Sequence, residues 1–284
     1  MAILRFRRVR CAVMFHEPYS WEVPPTDLLD RFRAACQDLV IRMLYLSASK
    51  AIFADPLETV SWLPNRHAKA VFIPIGGNIP EPVSGPPVAR VKRVLKTVAV
   101  FCLSDPPRQQ TELDEISYAV RMVSAAVPSL RLVLVGKGTA EAKEQAEQMF
   151  AGTPVEVLTL GIRSAEEVSR TLAESDAMLC VRGRLFPRRG SALAGIACGV
   201  PIIAYSGPAQ QTPLAEAGVE FVPYGDRDAL GAALARLLTD EKLQAEMRAR
   251  NRRGQENYFS WKKIASRHLE ALGFAGVNAM GTHA

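Results

Sequence analysis

Between residues 97 and 222 short apolar runs recur at 97–103, 131–135, 155–158, 177–181, 201–204 and 220–222. They are rich in β-branched residues and too short for helices, so they read as strands. Amphipathic stretches fill the gaps. Leu230, Ala233, Leu234 and Leu237 have the i, i+3, i+4, i+7 spacing of one buried helix face, and Ser164 ahead of Glu166 and Glu167 is placed to cap a helix. Regular alternation of strand and helix predicts a parallel, doubly wound sheet, which binds ligands at the carboxyl ends of its strands.

A shorter version of the same rhythm comes first. Strands are predicted at 11–15, 51–54 and 71–74, around a helix whose apolar face runs Leu28, Phe32, Ala35, Leu39, Met43, Leu46. Three strands make part of a Rossmann-like domain, and no strand running into a glycine-rich turn occurs before residue 76, so this half reads as incomplete. Residues 80–87 hold four prolines and Gly85, a backbone short of donors that suits a linker. The chain thus divides into a partial first domain (1–79), a linker (80–96), a second Rossmann-like domain (97–257), and a crossing helix with its tail (258–284). The apolar stripe Trp261, Ile264, Ala265, His268, Leu269, Leu272 is expected to pack on the first domain.

Composition narrows the class without naming a function. The 284 residues are 48 % hydrophobic and 23 % charged, which is globular rather than disordered or fibrous. Thirty-five Lys and Arg against 29 Asp and Glu leave +6, a balance that favours anionic partners. Five scattered cysteines with no C-x-x-C pair read as reduced thiols, and four dispersed histidines show no metal-ligand spacing. No apolar run reaches membrane-spanning length and the start lacks the apolar core of a signal peptide, so a cytoplasmic protein without metal or cofactor is expected.

The strongest local signal is 182–191, Arg182, Gly183, Arg184, Leu185, Phe186, Pro187, Arg188, Arg189, Gly190, Ser191, between a predicted strand and a predicted helix. Open N–H groups at a helix start and flanking guanidinium groups suit a diphosphate. The competing reading is a solvated loop in which Ser191 only caps the helix. His16 and Glu17 follow the apolar run ending at Phe15, at a strand's carboxyl end, where a structural histidine is the alternative. Gly136, Lys137 and Gly138 start like a dinucleotide fingerprint but lack its third glycine, and so read as a strand-to-helix turn. Arg108 is a further cation in the same layer. Arg5, Arg7, Arg8 and Arg10 are a weaker signal, and the group Arg248, Arg250, Arg252, Arg253 on a polar helix reads as a solvated face; nucleic-acid motifs are missing.

Taken in order, His16-Glu17, the run from Ile73 to Pro80, Val135 to Gly138, Ser175 to Ala177, Ala197 to Pro201 and Phe259 to Trp261 resemble a family 4 retaining glycosyltransferase of group 1, with the GT-B fold of two Rossmann-like domains. Arg188 to Ser191 is similar to a bacterial subgroup tied to polysaccharide assembly, and the chain looks N-terminally short of the family. The resemblance implies a donor site of Arg108, Gly136, Arg188, Arg189, Gly190 and Ser191, and catalytic residues His16 and Glu17, with the imidazole facing the donor sugar. It implies a nucleotide-diphosphate sugar, a glycan, lipid-linked or small-molecule acceptor, peripheral contact with the inner face of a membrane, and a partner glycosyltransferase. The family commonly has two glutamates eight positions apart; Phe186 and Ala194 stand there instead. The alternative is therefore a catalytically degenerate partner or regulatory protein of the same fold.

Overall fold

The computed structural model describes residues 10–18, 27–64, 67–82 and 95–274. The chain forms two compact units, one built from residues up to Ile75 and from Trp261 onward, the other from Gly76 to Ser260. Residues 83–94 of the expected linker and the arginines at 5, 7 and 8 lie outside the described residues.

In the second unit six strands form one parallel sheet: β4 (Lys96–Phe101), β5 (Leu130–Val135), β6 (Val155–Gly161), β7 (Ala177–Cys180), β8 (Ile202–Tyr205) and β9 (Val219–Val222), in the spatial order β6-β5-β4-β7-β8-β9. All six predicted strands are present. Parallel strands connected by helices are covered on both faces, so every residue of β7 and β8 is buried. One face packs Val98, Val100, Leu132, Leu134, Leu179 and Ile203 against α2 (Arg108–Ser124) and α6 (Arg227–Thr239). The predicted face of α6 is the buried one. α3 (Lys143–Phe150) and α4 (Ala165–Glu174) lie between β5 and β7, and Ser164 caps α4 through a reciprocal box with Glu167. α5 (Gly190–Ala197) sits so close to the sheet that a Cβ on Gly195 would meet Ile202 Cδ1 at 2.9 Å.

α7 (Glu241–Gly254) corrects one expectation. Arg248 donates to the carbonyls of Gly199 at 2.9 Å and Ser175 at 2.5 Å, and Arg250 to that of Ala215 at 2.7 Å. These two arginines are ties between α7 and its neighbours rather than solvated charge. Only Arg252 and Arg253 are exposed.

The first unit has three parallel strands, β1 (Ala12–Phe15), β2 (Lys50–Phe53) and β3 (Ala70–Phe72), in that spatial order. α1 (Leu28–Ser47) crosses from β1 to β2, capped by Asp27 at its start and by Lys69 Nζ on the carbonyls of Tyr45 and Ala48 at its end. Phe15, Tyr45, Phe53 and Trp62 cluster beneath it, with ring centroids 4.8 to 6.4 Å apart. The expected apolar face of α1 is not the packed one: Leu28, Phe32, Leu39, Met43 and Leu46 are all more than half exposed. α8 (Trp261–Ala271) packs Ile264 against Ile52 and Ile73, but Trp261, Ala265 and Leu269 of its stripe are exposed.

Candidate functional site

The order of the second sheet reverses at β4. From there the chain moves outward through β5 and β6, then returns to lay β7 on the other side. Loops leaving adjacent strands in opposite directions open a crevice at their carboxyl ends. The observed crevice lies there, lined by Phe101 and Cys102 at the end of β4, Cys180 and Arg182 at the end of β7, and Arg189 and Ser191 at the start of α5.

Each wall has a local cause. Cys102 turns the chain out of β4 at φ 66°, and Gly136 at φ 98° passes so close that a Cβ would lie 2.7 Å from Cys102 Sγ. Gly138, at φ 79°, is equally constrained: a Cβ there would lie 2.7 Å from the Leu103 carbonyl oxygen. Gln109 is buried at the start of α2 and donates to the carbonyls of Gly138 at 2.7 Å and Ser104 at 3.2 Å, joining the two loops. Glu112 accepts the Ser104 N–H at 2.9 Å. Ser104 Oγ accepts from Arg182 Nε at 3.4 Å, and the Arg189 guanidinium donates to the Arg182 carbonyl at 3.1 Å.

The crevice is positive. Arg182 and Arg189 line it, and among the described residues no carboxylate does. The N–H groups of Gly190 and Ser191, the first two of α5, have no partner among the described residues, as at any helix start. Burial pushes the Cys180 thiol up to about 12 against the lowering effects of Arg189 and Ser191. The thiol stays neutral, so it neutralises neither arginine. Guanidinium groups and open helix N–H groups are donors of the kind that suit a compact dianion.

Of the expected site residues, Arg189 and Ser191 meet in the crevice and Gly190 lies between them. Arg188 is half-buried beside them in the same turn, outside the lining. Arg108 is exposed at the first position of α2. Gly136 is a packing glycine below Cys102, outside the lining. His16 and Glu17 are exposed at the carboxyl end of β1, in the first unit, where Trp62 Nε1 donates to the Pro18 carbonyl at 2.6 Å. Phe186 lies on the loop before α5, and Ala194 is sealed inside it. Gln109, Glu112 and Ser104 were missed: nothing in a lone polar residue of a loop or helix reports its partner. Arg182, within the 182–191 motif, lines the crevice beside Arg189. Among the described residues no group of three or more His, Cys, Asp or Glu could hold a metal ion, and no helix is long and apolar enough to cross a membrane.

Two parallel α/β units, the second in doubly wound order with a cationic crevice at its switch point, define the GT-B class, and solved structures share that fold. Sucrose-phosphate synthase from Thermosynechococcus elongatus matches 95 % of this chain over 70 % of its own, with a TM-score of 0.66 at 20 % identity. Anabaena HepE in complex with UDP matches 96 % over 74 %, TM-score 0.66 at 15 % identity. A glycosyltransferase from Rickettsia africae matches 98 % over 80 %, TM-score 0.63 at 13 % identity. No protein of curated function matches in sequence. The family model described as glycosyl transferases group 1 matches residues 108–254, about half of the chain, and the chain belongs to that family.

Proposed function

We propose that the second unit holds the diphosphate of a nucleotide-diphosphate sugar in the Arg182–Arg189 crevice, and that the chain transfers the sugar with retention to a glycan, lipid-linked or small-molecule acceptor. The observation that carries this reading is the convergence of two guanidinium groups and the open N–H groups of Gly190 and Ser191 at the switch point. As the glycosidic bond breaks, negative charge grows on the leaving diphosphate. Donors fixed beforehand stabilise that charge more than the ground state. In the retaining scheme of the resembled family the leaving phosphate helps deprotonate the acceptor on the same face, so no carboxylate pair is required. His16, with Glu17 beside it, contacts the donor sugar in that scheme. The resemblance to the bacterial polysaccharide subgroup and a cytoplasmic setting belong to the same reading.

Phe186 and Ala194 favour a second reading, a degenerate partner of another glycosyltransferase, since neither position offers a carboxylate to the ribose or sugar. Calorimetry with UDP, GDP and ADP tests the site. Arg189→Ala removes a charge-assisted contact of about 1.5–3 kcal/mol and is expected to weaken binding roughly ten- to hundredfold. Equal binding by the variant rejects the crevice. Nucleotide binding without transfer from any nucleotide sugar selects the partner reading.

A further inference from the structure

An arginine that grips an anion gives up side-chain rotamers in doing so, and one already held in place gives up fewer. Arg182 is held from behind. Its Nε donates to Ser104 Oγ at 3.4 Å, which ties the β7 loop to the β4 loop, and its carbonyl accepts from the Arg189 guanidinium at 3.1 Å. Both cations of the crevice therefore take their bearings from one residue. Ser104 itself lies outside the lining and reaches the crevice through Arg182.

Ser104 is in turn fixed at both ends of its backbone by α2. Glu112 Oε2 accepts its N–H at 2.9 Å, and Gln109 Nε2 donates to its carbonyl at 3.2 Å. The two side chains are three residues apart and so share one face of the helix. Both are enclosed, Glu112 at 4 % exposure and Gln109 at 6 %. Enclosing a carboxyl group and an amide costs free energy that an aliphatic pair at the same positions would not. Here the polar groups serve a loop rather than the core. Gln109 also donates to the Gly138 carbonyl at 2.7 Å, and Lys137 pairs with Asp105 at 3.2 Å, so the loops after β4 and β5 form one wall. That wall presents the Ser104 hydroxyl to the β7 loop.

We propose that Ser104, fixed by Glu112 and Gln109, is a positioning residue that sets the Arg182 guanidinium for the diphosphate before it arrives. The inference rests on the donor-site reading. Its test is calorimetry of the full chain with UDP, GDP and ADP, followed with whichever of them binds the parent. Ser104→Ala is expected to weaken that binding roughly three- to tenfold at unchanged melting temperature. In an Arg182→Ala chain the same substitution is expected to change affinity by less than about twofold, because the hydroxyl then has no guanidinium to set. A role in stability alone would not depend on Arg182 in this way. Glu112→Ala is expected to weaken binding as Ser104→Ala does, and Glu112→Gln, whose amide oxygen can still accept the Ser104 N–H, to bind like the parent. Should Glu112→Ala fail to fold, the cycle of Ser104 with Arg182 decides alone. A Ser104→Ala chain that binds like the parent, or one whose loss is the same with and without Arg182, overturns the positioning role and leaves the crevice as the nucleotide site. A parent that binds none of the three nucleotides overturns the donor-site reading, and the positioning role with it.

Discussion

α6 and α1 carry apolar residues at the same helical period but bury opposite sides of their patterns. In the second unit Leu230, Leu234 and Leu237 of α6 are fully enclosed, where α6 meets β7, β8 and β9. In the first, Leu28 and Leu46 of α1 are 82 % and 66 % exposed, while Tyr45 on the other side is enclosed. The difference lies in what each sheet offers. The second sheet presents mainly aliphatic residues beside Tyr205, so the broad aliphatic side of the helix is the best match. The first presents Phe15 and Phe53, with Trp62 of the β2–β3 connection beside them, and edge and stacked contacts among four rings hold Tyr45 toward them. A helical period says that two sides are unlike; the surface beneath decides which one is used.

The largest expected contrast is in stability. Leu134→Ala, in β5 and 0 % exposed, is expected to lose about 2–5 kcal/mol in urea unfolding. Leu39→Ala on the outer face of α1 stays within about 0.5 kcal/mol. Comparable losses would show that α1 is packed on that face and would break the comparison.

The two units also divide the proposed chemistry. His16→Ala, in the first unit, is expected to keep nucleotide affinity and lose most transfer, because a contact made only in the transition state lowers turnover and leaves ground-state binding alone. Arg189→Ala, in the second, loses affinity itself. Loss of nucleotide binding by His16→Ala, or full transfer by it, removes the catalytic assignment.

Glycines sharpen the picture inside the second unit. Gly136→Ala forces an L side chain to φ 98° with Cys102 Sγ 2.7 Å away, and is expected to destabilise by about 1–3 kcal/mol in thermal unfolding. Gly190→Ala meets nothing within 4 Å, and its expected change is below about 1 kcal/mol. If both behave alike, the close passage of the β4 and β5 loops is not what holds the crevice.

The smallest contrast is between two thiols. Cys36, exposed on α1, is expected to react with iodoacetamide at pH 8, and Cys180 to resist, as peptide mass mapping would show. The folded Cys180 thiol is raised to about 12, so its contribution to stability is complete below the unfolded thiol's value of about 8.5 and is lost as pH rises through the folded one. Equal labelling of both would mean that the wall of the crevice opens.

Strand positions were legible because parallel strands buried on both faces leave short, unbroken apolar runs, and all nine runs became strands. The start of a helix at Gly190 was legible for the same local reason: a strand, a polar turn and small residues mark the opening of a helix. Tertiary structure alone decided the rest. That Gln109 and Glu112 fix Ser104 beside Arg182, that Gly136 yields space to Cys102, and that Arg248 reaches the Ser175 carbonyl all depend on atoms separated by many residues in the chain. The orientation of α1 belongs with these. Period and composition are properties of a segment, whereas the choice of a buried side is an energy difference between two docked states, and only the opposing surface supplies it.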